Sequence, residues 1–222
     1  MARARGDTTM RLERIGRRML WGRGVVAAGA LALVAAGCCH LCGGKPAGQP
    51  LFNGKDLTGW EATGNASWSV EDGCLVGRQG PEGAAGDLFT AGEYDDFEVT
   101  VTFKMNWPGN SGVWFRYQAP DKAYQADILE YENPVCYAGT LYCPGKMFLS
   151  MNEDPSTVNR DSWNTIKILA QGSHIVITLN GVVTGDVHDD TFATGKIGFQ
   201  IHAGDAFKDM RITVREVVLR PL

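Results

Sequence analysis

Residues 174–183 read HIVITLNGVV, and this stretch decides the fold class. Apolar side chains alternate with others up to Leu179, which is the period of a half-buried β-strand. Asn180 and Gly181 follow, and both residue types tolerate positive φ. Val182 and Val183 then resume a β-rich run. The stretch therefore predicts a β-hairpin closed by a type I′ turn.

Runs of the same kind continue on both sides of this hairpin. Strands are predicted over residues 97–103, 165–169, 195–202 and 210–218. Turn residues such as Asn, Asp, Pro and Gly separate the runs at short intervals. No segment after residue 50 has a long 3.6-residue period. Many short strands with turns between them indicate an all-β sandwich or barrel.

The first fifty residues differ from the rest of the chain. Residues 1–37 contain seven arginines ahead of a short apolar run, 24–37, that ends in small residues before Cys38. This pattern predicts an export or lipoprotein signal, with Cys38 as the lipidated residue and a membrane-anchored product in the periplasm or at the cell surface. Ordinary signal cleavage and secretion is the alternative. Residues 38–50 are predicted to be a flexible tether, and residues 51–222 one domain.

The charge of the chain limits its partners. The net charge is −4, and the arginine-rich segment 1–37 makes the remainder more acidic still. Nucleic-acid binding needs a basic surface, so no nucleic-acid partner is expected. A neutral ligand such as a sugar is compatible with this charge.

Three cysteines lie within the predicted domain. Cys136 and Cys143 flank a short glycine-containing segment that is expected to be a turn, so they are candidates for a disulfide. Cys74 lies in an apolar run and is expected to behave as a small buried side chain.

The order of several short motifs resembles a known family. The motifs are LFNGKDLTGW at 51–60, DFEV at 96–99, NSGVWFR at 110–116 and IGFQ at 197–200. Together they resemble the domain of unknown function 1080 family, also called the 3-keto-disaccharide hydrolase domain. The resemblance implies a concanavalin A-like jelly-roll sandwich of two antiparallel sheets. It also implies cleavage of glycosides that carry a ketone at sugar carbon 3.

The run 112–118 supplies two candidates. Strand alternation places Trp114 and Arg116 on one face, which we expect to line a wet cleft. Trp114 would bind substrate, and Arg116 would be catalytic. The competing interpretation is a core tryptophan and an arginine paired with a surface acid.

The run QADILE at 125–130 has the spacing of the glucanase signature E-x-D-x-x-E. In laminarinase- and lichenase-type glucanases a bulge brings the last Glu to the same face as the first two carboxylates. Gln125 stands where those enzymes have their nucleophile, so a retaining glucanase of that type is excluded. Asp127 and Glu130 remain candidate catalytic residues, and Gln125 a substrate-binding one. Solvated surface residues are the alternative.

Further candidates lie near the ends of other runs. Gln200 and His202 alternate with apolar neighbours and so share a face. His202 is a candidate acid or base, and Gln200 a candidate substrate ligand. Tyr142 matches a family motif and is expected in a loop at the rim of the cleft, where it would stack on a sugar face. Lys146 follows closely and would supply a cation, so both are candidate substrate-binding residues.

The implied chemistry requires a general base at carbon 2, an acid for the leaving group and a stabiliser for the ketone oxygen. We expect Asp127, Glu130 or His202 to act as the acid or base, and Arg116 to stabilise the charge on the ketone oxygen. A divalent metal held by these two acids and His202 is an open alternative. Two rival functions also stay open, namely a non-catalytic carbohydrate-binding module and a cell-surface scaffold.

Overall fold

The computed structural model describes residues 48–222. This part of the chain contains fifteen β-strands and three short 3-10 helices. The strands are β1 Gln49–Pro50, β2 Trp60–Gly64, β3 Ser67–Glu71, β4 Cys74–Arg78, β5 Gly86–Thr90, β6 Phe97–Asn106, β7 Asn110–Ala119, β8 Lys122–Glu132, β9 Val135–Cys143, β10 Met147–Asn152, β11 Asn164–Gln171, β12 His174–Leu179, β13 Val182–His188, β14 Lys196–Ile201 and β15 Arg211–Pro221. The 3-10 helices are Pro81–Gly83, Pro155–Thr157 and Asp205–Phe207.

The strands form two antiparallel sheets. The first has the order β13-β12-β11-β6-β15-β4-β3, with β1 added beside β15. The second has the order β10-β9-β8-β7-β14-β5-β2. The two sheets pack face to face, which confirms the predicted all-β, jelly-roll sandwich. The predicted hairpin is β12–β13, with φ of 50° at Asn180 and 87° at Gly181.

The core lies between the sheets and follows from strand alternation. Alternate residues of β6 such as Phe97 and Phe103 are fully buried, as are Ile166 and Ile168 of β11. The second sheet contributes residues of the same kind, including Phe115 of β7. Each such side chain contributes roughly 1.5–3 kcal/mol by leaving water. The opposite face of the second sheet is therefore free to carry polar groups.

The boundary between tether and domain differs slightly from the prediction. Gln49 pairs with Leu219 and Pro50 with Val218, so the first residues before Leu51 already belong to the first sheet. The predicted signal and Cys38 lie outside the described residues. Within residues 48–222, no helix is long and apolar enough to cross a membrane.

The predicted disulfide is wrong. Residues 135–143 form one continuous strand, β9, rather than two arms of a turn, although Gly139 has φ of 91°. Cys136 and Cys143 lie near its two ends, roughly 23 Å apart at the strand rise per residue, whereas a disulfide needs Cα atoms within about 7 Å. Both are free, buried thiols. Cys74 is also free, but it is only partly buried, unlike the buried side chain that was expected.

Candidate active site

A pocket of about 460 Å³ opens on the face of the second sheet that is turned away from the core. This volume lies within the range of small-molecule sites, roughly 300–1,000 Å³. Its walls come from six neighbouring strands and the residues that follow them. The lining residues are Asp87, Asn110, Trp114, Tyr117, Pro120, Asp121, Gln125, Asp127, Leu129, Tyr131, Tyr142, Pro144, Met147, Phe148, Gln200 and His202.

The floor of the pocket is one row of paired residues across four strands. Asp87 of β5 is opposite Gln200 of β14, which is opposite Gly112 of β7, which is opposite Asp127 of β8. A Cβ atom at Gly112 would lie 2.6 Å from the side chain of Gln125. Glycine is needed there because the Gln125 amide occupies the space above the strand. Because Gly112 has no side chain, the Gln125 amide and the Asp127 carboxyl can lie side by side.

Asp127 is the most unusual group in this row. It is only 3% exposed. None of the hydrogen bonds formed within residues 48–222 reaches its carboxylate, and burial alone raises its pKa well above the usual range of an aspartate. Buried carboxyl groups are normally paired, and an unpaired one in a pocket is characteristic of a functional site. Asp127 thus lies on the floor of the pocket.

The two glutamines form a linked pair beside Asp127. Nε2 of Gln125 donates to Oε1 of Gln200 over 3.1 Å. This bond fixes the orientation of the Gln200 amide, whose Nε2 donors have no partner within residues 48–222. Both glutamines line the pocket. Gln200 therefore presents free N–H donors to a ligand.

His202 lies at the pocket edge, directly after β14. Its backbone N–H donates to the carbonyl oxygen of Asn110 over 3.2 Å, and its ring meets Phe207 edge-on. Nδ1 lies 2.6 Å from the carbonyl oxygen of Ala203. Because a carbonyl only accepts, Nδ1 must carry a hydrogen, which leaves Nε2 as the ring nitrogen that faces proton exchange. That nitrogen is available to accept or return a proton.

Aromatic rings form one wall of the pocket. Tyr117 stacks on Phe89 with ring centroids 3.9 Å apart, and Tyr142 meets Phe148 edge-on. Tyr142 lines the pocket as predicted, although it belongs to strand β9 rather than to a loop. Trp114 also lines the pocket and is 6% exposed. Rings of this kind provide flat, apolar surfaces for the faces of sugar rings.

Asp87 is a site residue that the sequence analysis missed. Its Oδ1 accepts from Nε1 of Trp114 over 2.8 Å. Burial raises the pKa of Asp87, and the bond from Trp114 partly offsets this effect. The available signal was an acid directly before the apolar pair Leu88 and Phe89 in a short β-rich run. A second carboxyl group thus lies at the far end of the same row as Asp127.

The prediction that Arg116 faces the cleft is wrong. Arg116 has φ of 48°, and the pairing with β14 slips by one residue here, so a β-bulge turns its side chain to the other face. The residue is fully buried. Its five N–H donors are all used, on the carbonyl oxygens of Asp95, Gly172 and Phe192 and on the carboxylate of Asp96. No donor remains for a substrate, so we assign Arg116 a structural role.

Glu130 does not face the pocket either. Strand β8 keeps a regular register from Tyr124 to Leu129, so no bulge returns Glu130 to the face of Asp127. It pairs instead with Arg160, in a second depression. The proposed metal ligands, Asp127, Glu130 and His202, are therefore not brought together. No group of three or more metal-binding side chains occurs anywhere in the described part of the chain.

Lys146 does not line the pocket. Its Nζ donates to Oδ2 of Asp189 over 2.6 Å and to the hydroxyl of Thr191. Asp189 also accepts from the buried Tyr124 hydroxyl, over 2.5 Å. Burial alone would raise the pKa of Asp189, but hydrogen bonds from Lys146, Thr191 and Tyr124 hold it below its usual range. The predicted substrate-binding lysine thus belongs to a structural cluster.

The sequence profile of the 3-keto-alpha-glucoside-1,2-lyase-like domain family matches residues 47–213. This match covers most of the chain, so the protein belongs to that family. A 3-keto-disaccharide hydrolase from Bacteroides thetaiotaomicron is 32% identical over 77 residues, which cover 31% of this chain and 27% of that enzyme. The chain therefore spans only about a quarter of that relative's length in the alignment.

Solved structures agree on the architecture. A Bacillus subtilis protein of unknown function with a galectin-like fold matches with a TM-score of 0.65 and 18% identity, over 80% of this chain and 97% of its own. The carbohydrate-binding module CBM66 from Bacillus subtilis matches with a TM-score of 0.55 and 18% identity, over 74% and 96%. At these identities the similarity shows the jelly-roll fold alone.

Proposed function

We propose that this protein cleaves 3-keto-glycosides by removal of the proton on carbon 2, elimination of the group on carbon 1 and addition of water. The observation that carries the proposal is Asp127, a buried carboxyl without a partner on the floor of a sugar-sized pocket. The family assignment supplies the substrate class. The ketone supplies the chemical reason, because it acidifies the neighbouring C–H bond.

Asp127 is the general base of this proposal. Its carboxylate takes the proton from carbon 2, and the C–H electrons form the double bond of an enediolate between carbons 2 and 3. A raised pKa strengthens the base, because a carboxylate with an ordinary pKa is a weak proton acceptor. The buried site also keeps water from competing for the proton.

The enediolate oxygen needs hydrogen-bond donors, and Arg116 does not provide them. The free N–H groups of Gln200 and the hydroxyl of Tyr142 lie in the pocket beside Asp127. Donors positioned for the developing charge stabilise the transition state by several kcal/mol at best, about 3–4 per group in known oxyanion sites. We assign Gln200 and Tyr142 this role.

His202 completes the reaction at carbon 1. When the ketone re-forms, the bond from carbon 1 to the leaving oxygen breaks, and that oxygen takes a proton from the imidazolium of His202. The imidazole then accepts a proton from water as the water oxygen bonds to carbon 1, while Asp127 returns its proton to carbon 2. The net reaction is hydrolysis. Nδ1 keeps its hydrogen on the Ala203 carbonyl oxygen, so Nε2 is the nitrogen that releases this proton and takes one up again.

The direct test is incubation of residues 48–222 with a panel of 3-keto-glycosides and with their unoxidised parents. We expect release of the free aglycone from the keto compounds only. Cleavage of the parents at an equal rate would contradict a mechanism that depends on the ketone.

A carbohydrate-binding module is the second candidate. The aromatic wall of the pocket and the structural similarity to CBM66 favour it. A binder would retain its ligands without turnover, and Asp127→Asn would leave their affinity unchanged. The same substrate panel, followed by calorimetry, distinguishes the two functions.

For the N-terminal region we propose export and lipid anchoring at Cys38. The support is the arginine-rich segment followed by a short apolar run and small residues. A Cys38→Ser variant should lose fatty-acid labelling and accumulate as the uncleaved precursor, as measured by mass spectrometry. Fatty-acid labelling and cleavage equal to those of wild type would contradict the anchor.

A further inference from the structure

Asp87 lines the pocket, and the proposed chemistry gives it no role. Its Oδ1 accepts a hydrogen bond from Nε1 of the buried Trp114, while its Oδ2 receives none from residues 48–222. An ionised carboxylate only accepts hydrogen bonds, so the free Oδ2 can bind only a group that donates one. Asp87 therefore offers a ligand one acceptor whose position is fixed through Trp114.

The charge of the pocket limits what that donor can be. Asp87, Asp121 and Asp127 line the pocket, whereas no lysine or arginine of the described residues does. These unbalanced carboxyl groups disfavour an anionic ligand. A sugar hydroxyl is a neutral group that donates a hydrogen bond, and it therefore suits the free oxygen of Asp87.

The order of residues across the sheet matches the order of atoms along one edge of an oxidised sugar ring. Gln200 lies between Asp127 and Asp87 in the row of paired residues on the pocket floor. In the proposed reaction Asp127 removes the proton on carbon 2, and Gln200 binds the oxygen on carbon 3. Carbon 4 is the next ring atom in the same direction, so its hydroxyl group lies on the side of Asp87.

The length of the row agrees with a single ring. Asp127 and Asp87 are separated by three inter-strand steps, or about 14 Å between their backbones. Both side chains lie on the pocket face, since their strand neighbours Ala126 and Leu88 belong to the core. This span, shortened by the reach of the two side chains, accommodates one sugar ring between the two carboxyl groups.

We propose that Asp87 binds the hydroxyl group on carbon 4 of the oxidised ring and thereby determines which rings the enzyme accepts. The inference rests on the proposed function, because that function places carbons 2 and 3 over Asp127 and Gln200. Oδ2 of Asp87 accepts a hydrogen bond from the hydroxyl group while Trp114 holds Oδ1. A ring without a donor at carbon 4 leaves this carboxylate unpaired and reacts less well.

The test compares methyl 3-keto-glucoside with its 4-deoxy and 6-deoxy analogues. For wild type, loss of the 4-hydroxyl group should lower kcat/KM roughly tenfold, as expected for one lost hydrogen bond to a charged group. Loss of the 6-hydroxyl group should leave kcat/KM unchanged. A larger loss for the 6-deoxy analogue, or equal values for all three compounds, would overturn the assignment to carbon 4.

Asp87→Asn separates this contact from the bond to Trp114. The asparagine oxygen can still accept from Nε1 of Trp114, but an N–H donor replaces the free acceptor. The variant should fold as wild type does, lower kcat/KM for the parent compound roughly tenfold and leave the value for the 4-deoxy analogue unchanged.

Asp72→Asn is the matched control, because Asp72 is an exposed carboxylate in the turn between β3 and β4, outside the pocket. It should alter the rate for neither compound. Equal effects of Asp87→Asn on the parent and the 4-deoxy analogue, or no effect on either, would refute the contact.

Failure of the proposed function gives a different result. If wild type cleaves none of the three compounds, the chemistry is wrong, and the same compounds then serve as ligands in calorimetry. Tighter binding of the parent than of the 4-deoxy analogue, with the difference abolished by Asp87→Asn, supports the contact. Equal affinities, or no binding, count against it.

Discussion

Asp127 and Arg116 are both buried charged residues on adjacent strands, β8 and β7, and they differ in one respect. Every donor of Arg116 has a protein acceptor. The carboxylate of Asp127 receives no hydrogen bond from residues 48–222. A buried charged group whose hydrogen bonds are all formed within the protein stabilises the fold. A buried charged group without such partners lowers stability, and its presence in a pocket indicates a role toward a ligand. We therefore assign a structural role to Arg116 and a catalytic role to Asp127.

The largest expected effect is that of Asp127→Asn on catalysis. Loss of the general base should lower kcat/KM for a 3-keto-glycoside by about 10³-fold. Asparagine keeps the shape of the side chain, so the fold should survive. Asp209→Asn, at an exposed carboxylate in the loop before β15, is the control and should retain full activity.

Arg116→Met should lower stability and leave activity intact, which is the opposite of the effect expected for Asp127→Asn. It leaves the three backbone carbonyls without donors, and the free energy of unfolding should fall by about 3 kcal/mol. The kcat of the folded fraction should stay near that of wild type, because the guanidinium lies away from the pocket. Urea unfolding measures the loss of stability, and kinetics normalised to the folded fraction measure kcat. Arg215→Met, at an exposed arginine over the ring of Trp163, is the control. A variant that is fully folded but inactive would show that Arg116 has a role in activity, which contradicts its structural assignment.

His202→Ala should reduce kcat by about 10²-fold, because the leaving oxygen loses its proton donor. His202→Gln retains hydrogen bonding without a transferable proton and should not restore the rate. The loss should be smaller for substrates with acidic leaving groups, which need no protonation. An equal loss across leaving groups would contradict this role.

The smallest effects concern pH and stability. The pKa of Asp127 is raised in the folded state, so its contribution to stability is full at low pH and is lost as pH rises through that pKa. Asp127→Asn should therefore equal or exceed wild type in stability at pH 7. The pKa of Asp189 is lowered, so its contribution is present at neutral pH and is lost as pH falls. Asp189→Asn should flatten the loss of stability in acid, as measured by urea unfolding across pH.

The sequence predicted the sheets well because alternation and turn residues are local signals. The hairpin at Asn180 and Gly181 needed only ten residues to recognise. The positions of Gln125, Asp127 and Gln200 followed from the same alternation. These predictions hold wherever a strand is regular.

The errors occur where the backbone departs from regular alternation or where a partner is distant in sequence. The bulge at Arg116 reverses its face, and no local pattern indicates a positive φ at an arginine. The prediction for Glu130 is wrong for the opposite reason, because the expected bulge is absent from β8. Lys146 forms an ion pair with Asp189, which lies 43 positions away in the sequence. Asp87 was missed because its row partners come from other strands.

The most direct test of the account is exchange of the carbon-2 hydrogen of a 3-keto-glycoside with deuterium from solvent, followed by NMR. Wild type should catalyse this exchange alongside cleavage, with a rate that increases with pH as Asp127 loses its proton. Asp127→Asn should abolish the exchange while the protein stays folded. Undiminished exchange in the folded variant would contradict the assignment of Asp127 as the base.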